Sequence, residues 1–238
     1  MALLDELRRN TNAIVDEAWG IRDGTVVPTT DTVALAGGGV KLEAVMLYAD
    51  LAESTKLAMS FDSRVAAKIV KAFLGGCCRL IRAHSGHIRS FDGDRVMGVF
   101  IEGPRHTNAA TCGLKINWLV KKLLRPVFHA KYPALAAGGF EINHGVGIDR
   151  SEVLVVRSGI RSHNDLVWIG RAPNIAAKLA NVRDRHQTIM TKDVFDIVLD
   201  DAKYGGVQRE LMWEARTWNE APANDLKDVY SSGWWWEP

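Results

Sequence analysis

Asp50 and Asp94 lie at two positions where the pattern predicts that a strand ends in a turn. Asp50 follows the apolar run at residues 45–49 and precedes a polar segment that is typical of a helix start. Asp94 belongs to an Asp-Gly turn between two short β-like runs over residues 88–100, a pattern that predicts a hairpin. If both turns meet at one end of a sheet, the two carboxylates can bind divalent metal ions against a triphosphate.

Each aspartate also has a purely structural interpretation. A carboxylate at a strand end before Ser54 and Thr55 is common as a helix cap or turn former, and Asp-Gly-Asp tips are ordinary hairpin turns. However, the backbone N–H groups of residues 53–55 at a helix start would point toward whatever Asp50 binds. Such donors suit a polyphosphate that chelates the same metal, which favours the metal hypothesis.

A third group of polar side chains lies on a helix that is predicted to begin near Pro173, a favourable first-turn residue. Asn174 and Lys178 are four residues apart and therefore share one helix face near its N-terminal end. An amide and a cation side by side there suit a ribose and a phosphoryl group. The alternative is a capping Asn beside a solvated Lys on an amphipathic helix.

The elements that must position these residues follow from apolar periodicity and from cap and turn residues. In the first half, the pattern predicts a helix over residues 3–19, a strand ending near Asp50, a helix over 54–84 with Ser54 as N-cap and Gly86 as stop, a hairpin over 87–100 and a helix from Pro104 to about 129. In the second half, it predicts a loop over 133–139, paired strands at 140–148 and 153–156, a strand at 165–169, a helix from Pro173 to 181, a strand at 188–190, a helix at 192–199 and a last strand that carries the indoles of 234–236. For those three indoles, an interaction site is the alternative to a strand with aromatics on both faces.

This order predicts an α+β fold in which a central, mostly antiparallel sheet is flanked by helices. We interpret residues 1–41 as an N-terminal arm and residues 42–238 as one domain. The sequence shows no internal repeat.

Composition limits the class of protein. The chain has 238 residues, of which 47% are hydrophobic and 24% charged, which is sufficient for one well-buried core. A net charge of +2 is too small to indicate a surface for nucleic acid or membrane, and no apolar run approaches the roughly 20 residues that span a bilayer. Cys77, Cys78 and Cys112 lack metal-ligand spacing and are expected to be unligated thiols. Because the N-terminus is unlike a signal peptide, we expect a cytoplasmic protein.

Taken together, the three groups of residues resemble the motifs of the class III nucleotide cyclases, the adenylate and guanylate cyclase catalytic domain, over roughly residues 42–236. In that family the first motif reads Phe-x-Asp-Ile-x-Gly-Phe-Thr, the second is Gly-Asp on a hairpin, and the third reads Asp-Tyr-Thr-x-x-Gly-x-x-x-Asn-x-x-x-Arg. The corresponding residues here are Tyr48-Ala49-Asp50-Leu51-Ala52-Glu53-Ser54-Thr55, then Gly93-Asp94, then Asp165-Leu166-Val167-Trp168-Ile169-Gly170 followed by Asn174 and Lys178. The order of the motifs and the 44-residue separation of the two aspartates make the resemblance specific.

The resemblance implies a ferredoxin-like palm fold and a reaction in which a ribose 3′-hydroxyl attacks its own α-phosphate and releases pyrophosphate. It implies that Asp50, Asp94 and the carbonyl of Leu51 bind two divalent metal ions, Mn²⁺ or Mg²⁺. It also implies that amides near Ser54 and Thr55 hold the β- and γ-phosphates.

Members of this family form head-to-tail homodimers with composite active sites, in which one subunit supplies the aspartates and the other supplies the Asn and Arg. The resemblance therefore implies that Asn174 orients the ribose and that Lys178 takes the place of the transition-state Arg. Lys supplies a point charge and no planar fork, so bidentate support is lost. Arg171, Arg183 and Arg185 are candidates to compensate for that loss.

The family's base-reading positions differ here. Purine cyclases place polar side chains at two positions that correspond to Ser90 and Val167, but Ser is too short and Val has no hydrogen-bonding group for the usual contacts. One hypothesis is a degenerate, non-catalytic regulatory domain, which retention of both aspartates and Asn174 disfavours. The other is an active cyclase for a different base, and a purine cyclase with an unusual base pocket is a further alternative.

The altered base positions, the Tyr48 variant of the first motif, the aromatic C-terminus and the short chain resemble the pyrimidine cyclases of bacterial Pycsar antiphage systems. This resemblance implies synthesis of cyclic UMP or cyclic CMP during phage infection and a separate effector protein that responds to it. Tyr48 shares a strand face with Asp50, so its ring either narrows the pocket for a one-ring base or is a core aromatic. We favour UTP over CTP on general likeness, and Arg161 is a candidate contact to the triphosphate.

Overall fold

The computed structural model describes residues 2–160, 162–183 and 185–238. The chain divides into two compact units. The smaller unit comprises Met1–Glu43 and Glu152–Gly170, and the larger comprises Ala44–Ser151 and Arg171–Pro238. The domain boundary that we placed at residue 41 stays a prediction.

The described residues form nine α-helices. These are α1 (Leu3–Val15), α2 (Ser54–Ser60), α3 (Ser63–Ala83), α4 (Arg105–Trp118), α5 (Arg125–Lys131), α6 (Pro133–Ala137), α7 (Arg171–Ala180), α8 (Lys192–Phe195) and α9 (Asp200–Lys203). A π-helical turn, Leu119–Leu124, joins α4 to α5, and 3-10 turns lie at Thr30–Thr32 and Asn224–Leu226.

The strands found in the described residues include two that run through both units. They are β1 (Gly20–Asp23), β2 (Gly38–Leu51), β3 (His87–Asp92), β4 (Arg95–Phe100), β5 (His144–Ile160), β6 (His163–Gly170), β7 (Thr188–Thr191), β8 (Tyr204–Gly205), β9 (Glu210–Leu211), β10 (Glu214–Thr217) and β11 (Asp228–Ser232). In the larger unit, the strand order is β10-β11-β7-β5-β2-β4-β3. The pairs β10·β11, β11·β7, β2·β4 and β3·β4 are antiparallel, whereas β5 and β7 are parallel. This confirms the predicted α+β fold with a central, mostly antiparallel sheet flanked by helices.

The central strand β2 shows how the larger unit is layered. Because alternate residues of a strand point to opposite faces, Leu47 and Leu51 enter the core on one side, in the same buried cluster as Phe73 of α3. Tyr48 and Asp50 point to the other side. The face that carries Tyr48 and Asp50 is therefore opposite the main buried cluster, and polar side chains at the end of this face are suited to hold a site.

Helix α7 packs closely on strand β5 because two glycines lie beneath it. A Cβ atom at Gly147 would clash with the carbonyl oxygen of Ala176, and one at Gly145 would clash with that of Ala180. Ile175 of α7 belongs to a second buried cluster of the larger unit, which holds α7 in place. The glycines therefore set how closely this helix approaches the sheet.

The smaller unit contains α1, β1 and the hairpin of β5 with β6. Strand β1 is parallel to β2, and the hairpin runs from Val153 paired with Gly170 to Ile160 paired with His163. None of the residues of α1 is buried. Among the residues that the structure describes, no helix is long and apolar enough to cross a membrane.

The long helix predicted over residues 54–84 is wrong in one respect, because the structure divides it into α2 and α3. Phe61 has extended backbone angles, and the side chain of Asp62 accepts a hydrogen bond from the N–H of Arg64, so Asp62 caps a second helix. The residue before α2 is Glu53, and Ser54 is already helical. The predicted N-cap at Ser54 is therefore also wrong.

Other local predictions need correction. The two strands predicted at 140–148 and 153–156 form one continuous strand, β5, which carries buried residues through most of its length. The loop predicted at 133–139 contains the short helix α6, which Pro133 begins. The helix predicted at 192–199 ends at Phe195, and the last strand ends at Ser232, before the three indoles.

Candidate active site

Asp50 and Asp94 lie at neighbouring strand ends. Asp50 near the end of β2 pairs with Arg95 at the start of β4, and the N–H of Leu51 donates to the carbonyl oxygen of Asp94 at 3.4 Å. Gly93 adopts a positive φ of 60° in the turn between β3 and β4, a conformation that favours glycine. The two predicted turns therefore meet at one end of the sheet, as the sequence indicated.

The carboxylate of Asp50 is buried and ion-paired. Only 6% of Asp50 is exposed. Arg95 donates from Nε to Oδ1 at 3.2 Å, and Arg183 donates from Nη2 to Oδ2 at 2.7 Å. Each carboxylate oxygen thus accepts a charge-assisted hydrogen bond from a different arginine.

Both arginines are also tied to the C-terminal end of α7. Arg95 donates from Nη2 to Oδ1 of Asn181 at 3.0 Å, and Arg183 donates from Nη1 to the carbonyl oxygen of Ala180 at 2.6 Å. The missing Cβ of Gly145 leaves room for the Arg183 guanidinium, since a Cβ there would lie 2.8 Å from Nη1. These contacts connect the carboxylate on β2 to the helix that carries Asn174.

One face of the sheet continues from Asp50 toward the predicted base-reading position. Met97 of β4 pairs with Tyr48 on one side and with Ser90 on the other, so the three side chains point to the same face. The Arg95 guanidinium lies 6.0 Å from the centre of the Tyr48 ring. Burial raises the pKa of the Tyr48 hydroxyl, so it is a neutral donor near neutral pH.

The segment after Asp50 turns sharply into α2. The N–H of Ala52 donates to the carbonyl oxygen of Asn143 at 2.9 Å, which fixes the turn against the start of β5. Glu53 has a φ of 57°, in the left-handed region that non-glycine residues rarely adopt. It stands where the quoted family motif has Gly. Ser54 and Thr55 begin α2, the former half-buried and the latter exposed.

Asn174 and Lys178 are both exposed on α7. The start of this helix is held by Arg171, whose Nε donates to Oδ2 of the fully buried Asp149 at 3.1 Å and whose Nη2 donates to Asp193 at 2.7 Å. Arg171 is therefore part of a structural ion-pair network.

Arg183 and Arg185 are the other two candidates to compensate for Lys178, and one of them forms an ion pair away from Asp50. Arg185 pairs with Glu214, whereas Arg183 reaches Asp50. This pairing has no local signal in the sequence, because 133 residues separate Arg183 from Asp50.

Of two further predicted substrate residues, Val167 and Arg161, the structure describes only Val167. Val167 belongs to β6 in the smaller unit, pairs with Val156 and is 44% exposed. Arg161 lies outside the described residues. The proposed base-reading pair of Ser90 and Val167 is therefore divided between the two units, and only Ser90 is described beside Tyr48 and Asp50.

Comparisons with known proteins agree with these features. No protein-family model matches the chain. A curated uridylate cyclase from Rhodovulum sp. (strain MB263) is 40% identical over 100% of this chain and 99% of its own length, and one from Xanthomonas perforans is 35% identical over 99% of each. Among solved structures, the guanylyl cyclase Cya2 aligns with a TM-score of 0.68 and 17% identity, over 84% of this chain and 96% of that one. A bacterial light-regulated adenylyl cyclase aligns with a TM-score of 0.67 and 20% identity, over 83% of this chain and 53% of that one.

This chain belongs to the class III nucleotide cyclases. Its sequence is related to the uridylate cyclases over its whole length, and its fold is that of adenylyl and guanylyl cyclase domains. The predicted family is thereby confirmed.

The donor set of this cyclase fits divalent ions that a nucleotide helps to bind. Within residues 2–160, 162–183 and 185–238, no cluster of three or more His, Cys, Asp or Glu side chains could hold a metal ion by itself. Asp50 and Asp94 supply two carboxylates at one sheet end. Mg²⁺ in phosphoryl-transfer sites is commonly held by one or two carboxylates together with substrate phosphates, which matches this arrangement.

Proposed function

We propose that this cyclase converts UTP to cyclic UMP and pyrophosphate. The observation that carries the proposal is the full-length similarity to proteins named uridylate cyclase. The residues on the Asp50 face of the sheet support it, because a Ser stands at a position where purine cyclases have longer polar side chains. CTP is the alternative pyrimidine substrate.

In the proposed reaction, the ribose 3′-hydroxyl attacks the α-phosphorus of the same nucleotide. A bond forms between O3′ and the phosphorus, the bond from that phosphorus to the bridging oxygen breaks, and pyrophosphate leaves with both electrons of that bond. The hydroxyl proton passes to solvent. No protein nucleophile is required, so the protein acts by positioning the groups and by stabilising charge.

Asp50 and Asp94, with the carbonyl oxygen of Leu51, are the residues that we propose hold two divalent cations, Mn²⁺ or Mg²⁺. When bound, these ions lower the pKa of the 3′-hydroxyl and stabilise charge on the phosphorus and the leaving group. The backbone amides near Ser54 and Thr55 are proposed to bind the β- and γ-phosphates. Arg161 is a further proposed contact to the triphosphate.

We propose that Asn174 orients the ribose and that Lys178 stabilises negative charge in the transition state. Both side chains are exposed on α7, which is compatible with their use in the active site of a second subunit. The apolar residues of α1 support an assembly as well, since Leu3 is 70% exposed and Ile14 is 63% exposed. The proposed enzyme is therefore a homodimer with two composite sites.

The base is proposed to lie against Tyr48 and Ser90, which flank Met97 on one sheet face. Tyr48 offers a ring for packing and, because its pKa is raised, a hydroxyl that remains a donor. Uracil presents O4 as an acceptor where cytosine presents an amino group, so we propose that the Tyr48 hydroxyl donates to O4, since a hydroxyl that accepted a hydrogen bond here would suit cytosine instead. Val167 is a proposed apolar contact to the base.

Turnover assays test the reaction and the substrate. Purified protein is incubated with Mn²⁺ and, in turn, ATP, GTP, CTP or UTP, and the products are separated by mass. Cyclic UMP as the main product is the expected result. Cyclic CMP would shift the proposal to the other pyrimidine, and cyclic AMP or cyclic GMP would establish a purine cyclase with an unusual pocket.

No cyclic product with any nucleotide would favour a regulatory domain. The Asp50→Ala and Asp94→Ala variants should lose turnover while they keep the circular dichroism spectrum of the wild type. Turnover that persists in both variants would remove these residues from the metal site.

Two further variants test the base contact. Tyr48→Phe removes one hydroxyl, and Ser90→Ala removes another, with little change in volume. Loss of one hydrogen bond to the base should lower kcat/KM for UTP roughly tenfold and reduce the preference for UTP over CTP. Unchanged ratios of kcat/KM for the two nucleotides in both variants would place the base elsewhere.

Composite sites can be tested by mixing two inactive variants. Asp50→Ala loses one half of each site and Asn174→Ala loses the other, so a mixed dimer of the two retains one intact site. Mixing at equal concentrations should restore about a quarter of wild-type turnover. No restoration, with dimers present by light scattering, would show that each site is built from a single chain.

We also propose a biological setting. Cyclic UMP made in the cytoplasm during phage infection would act on a separate effector protein that binds the cyclic nucleotide. Measurement of cyclic UMP in bacteria before and after infection tests this role. Equal amounts in both conditions would contradict it.

A further inference from the structure

We propose that Arg183 occupies the metal position on Asp50 when the nucleotide is absent and leaves it when the metal and the nucleotide bind. This inference rests on the proposed function, in which Asp50 is a metal ligand. It concerns a side chain that lies outside the three family motifs. It also predicts a competition that can be measured without turnover.

Both carboxylate oxygens of Asp50 are hydrogen-bonded to arginines. Oδ1 accepts a hydrogen bond from Arg95 and Oδ2 accepts one from Arg183, while only 6% of the residue is exposed. A divalent cation that coordinates this carboxylate would be brought within a few ångströms of both guanidinium groups. Positive charges at such a distance repel strongly in a partly buried site, so at least one arginine must move.

The contacts indicate which arginine moves. Arg95 is on β4 directly opposite Asp50, its side chain is 22% exposed, and it also binds Asn181 and lies over the Tyr48 ring. Arg183 follows the end of α7, and its side chain is 43% exposed. Within the described residues, Arg183 also donates a hydrogen bond to the nearby carbonyl oxygen of Ala180. The two bonds of Arg183 are shorter than those of Arg95, but Arg183 has fewer partners besides Asp50 and a more exposed side chain, so its displacement disturbs fewer contacts.

The displaced guanidinium has a natural new partner. A triphosphate brought in with the metal presents several anionic oxygens beside Asp50, and a guanidinium fork matches pairs of phosphate oxygens. The bond from Arg183 to Ala180 keeps the side chain near the site as it rotates. Arg183 thus neutralises the carboxylate of Asp50 before the metal binds and the leaving pyrophosphate afterwards. Since the metal would replace Arg183 on Asp50, the buried charge of Asp50 is never unpaired.

The test measures the affinity of the protein for Mn²⁺ in the absence of nucleotide. Electron paramagnetic resonance reports the concentration of free Mn²⁺ in each titration. Arg183→Gln removes the competing charge and should bind Mn²⁺ roughly tenfold more tightly than the wild type. Arg183→Lys keeps the charge but cannot bridge Asp50 and Ala180 with a planar fork, so its affinity should lie between the two. In steady-state assays, Arg183→Gln should raise KM for the nucleotide triphosphate.

Arg79→Gln is the matched control. Arg79 is an exposed arginine on α3 that donates from Nη1 to the carbonyl oxygen of Gly75 at 2.9 Å, so this variant has the same change in net charge at a distant surface. Its Mn²⁺ affinity should equal that of the wild type. Thermal unfolding of each variant confirms that the protein is folded.

A separate variant distinguishes failure of this inference from failure of the proposed metal site. Asp50→Asn should lose Mn²⁺ affinity if Asp50 is a metal ligand. If Asp50→Asn loses affinity while Arg183→Gln binds like the wild type, displacement of Arg183 is refuted and the metal site stands. If Asp50→Asn binds like the wild type, the metal site itself is refuted.

Discussion

Arg171 binds the fully buried carboxylate of Asp149 through two nitrogens, Nε at 3.1 Å and Nη2 at 3.2 Å. Thr191 donates a third hydrogen bond to Oδ1 at 2.7 Å. Burial raises the pKa of Asp149, whereas the bonds from Thr191 and Arg171 lower it. Because Arg171 is the first residue of α7, this network determines where the helix that carries Asn174 begins.

Removal of Arg171 should therefore destabilise the protein and disturb the site. Arg171→Gln leaves a buried carboxylate without its cation, which should reduce the free energy of unfolding by about 3 kcal/mol. Urea unfolding measures this change. Arg64→Gln is the control, because Arg64 pairs with Asp62 at the surface and its loss should leave the urea midpoint unchanged. Equal effects of the two variants would contradict a structural role for the buried pair.

Gly147→Ala should separate α7 from the sheet. The added methyl group meets the backbone of Ala176, which cannot rotate away, so we expect a loss of about 2 kcal/mol of stability and lower turnover. Gly75→Ala is the control in α3, where the nearest atom to the new Cβ is the flexible end of Arg79 at 3.3 Å. That substitution should be neutral or stabilising, because Ala favours helix over Gly. Denaturant midpoints compare the two variants, and a Gly147→Ala protein as stable as the wild type would contradict the close packing.

Glu53→Gly should stabilise the protein. Glu53 adopts a positive φ of 57°, which a side chain makes unfavourable by about 1 kcal/mol and glycine permits. The expected rise in Tm is about 2 °C, measured by differential scanning calorimetry. Glu53→Ala keeps the strain and removes only the exposed pair with Lys56, so its Tm should not rise. A higher Tm for both variants would assign the effect to the charge rather than to the backbone.

Acidification should destabilise the folded protein through two buried histidines. Burial lowers the pKa of His144 to about 3 and that of His106 to about 4, with nearby Lys121 and Arg105 acting in the same direction. Above the unfolded-state pKa of about 6.5, each histidine is neutral in both the folded and the unfolded protein, and it does not reduce the free energy of unfolding. As the pH falls below 6.5, the histidine binds a proton in the unfolded protein but not in the folded protein. Each histidine then lowers stability by about 1.4 kcal/mol per pH unit. His144→Phe should reduce this slope between pH 6 and pH 4, as urea titrations at several pH values can measure, and an unchanged slope would contradict the assignment.

Local patterns were sufficient to predict the positions of the proposed metal ligands. An apolar run before Asp50 and an Asp-Gly turn before Asp94 each specify a strand end within a few residues, because strand alternation and turn conformations depend on nearby side chains. The structure brings the two ends together, with the N–H of Leu51 bonded to Asp94. The helix break at Phe61 was missed, because the apolar pattern continues across it while Asp62 begins a new helix.

The sequence by itself determined the α+β class, the hairpin and the residue types that suit a cyclase site, because these follow from periodicity and short motifs. Only the tertiary structure decided that Arg183 pairs with Asp50, that Arg171 is bound to Asp149, and that Tyr48 and Ser90 share a face across Met97. Such contacts join residues that lie far apart in the chain. They depend on which strands are neighbours and on how closely α7 packs over its two glycines, and no local pattern contains that information.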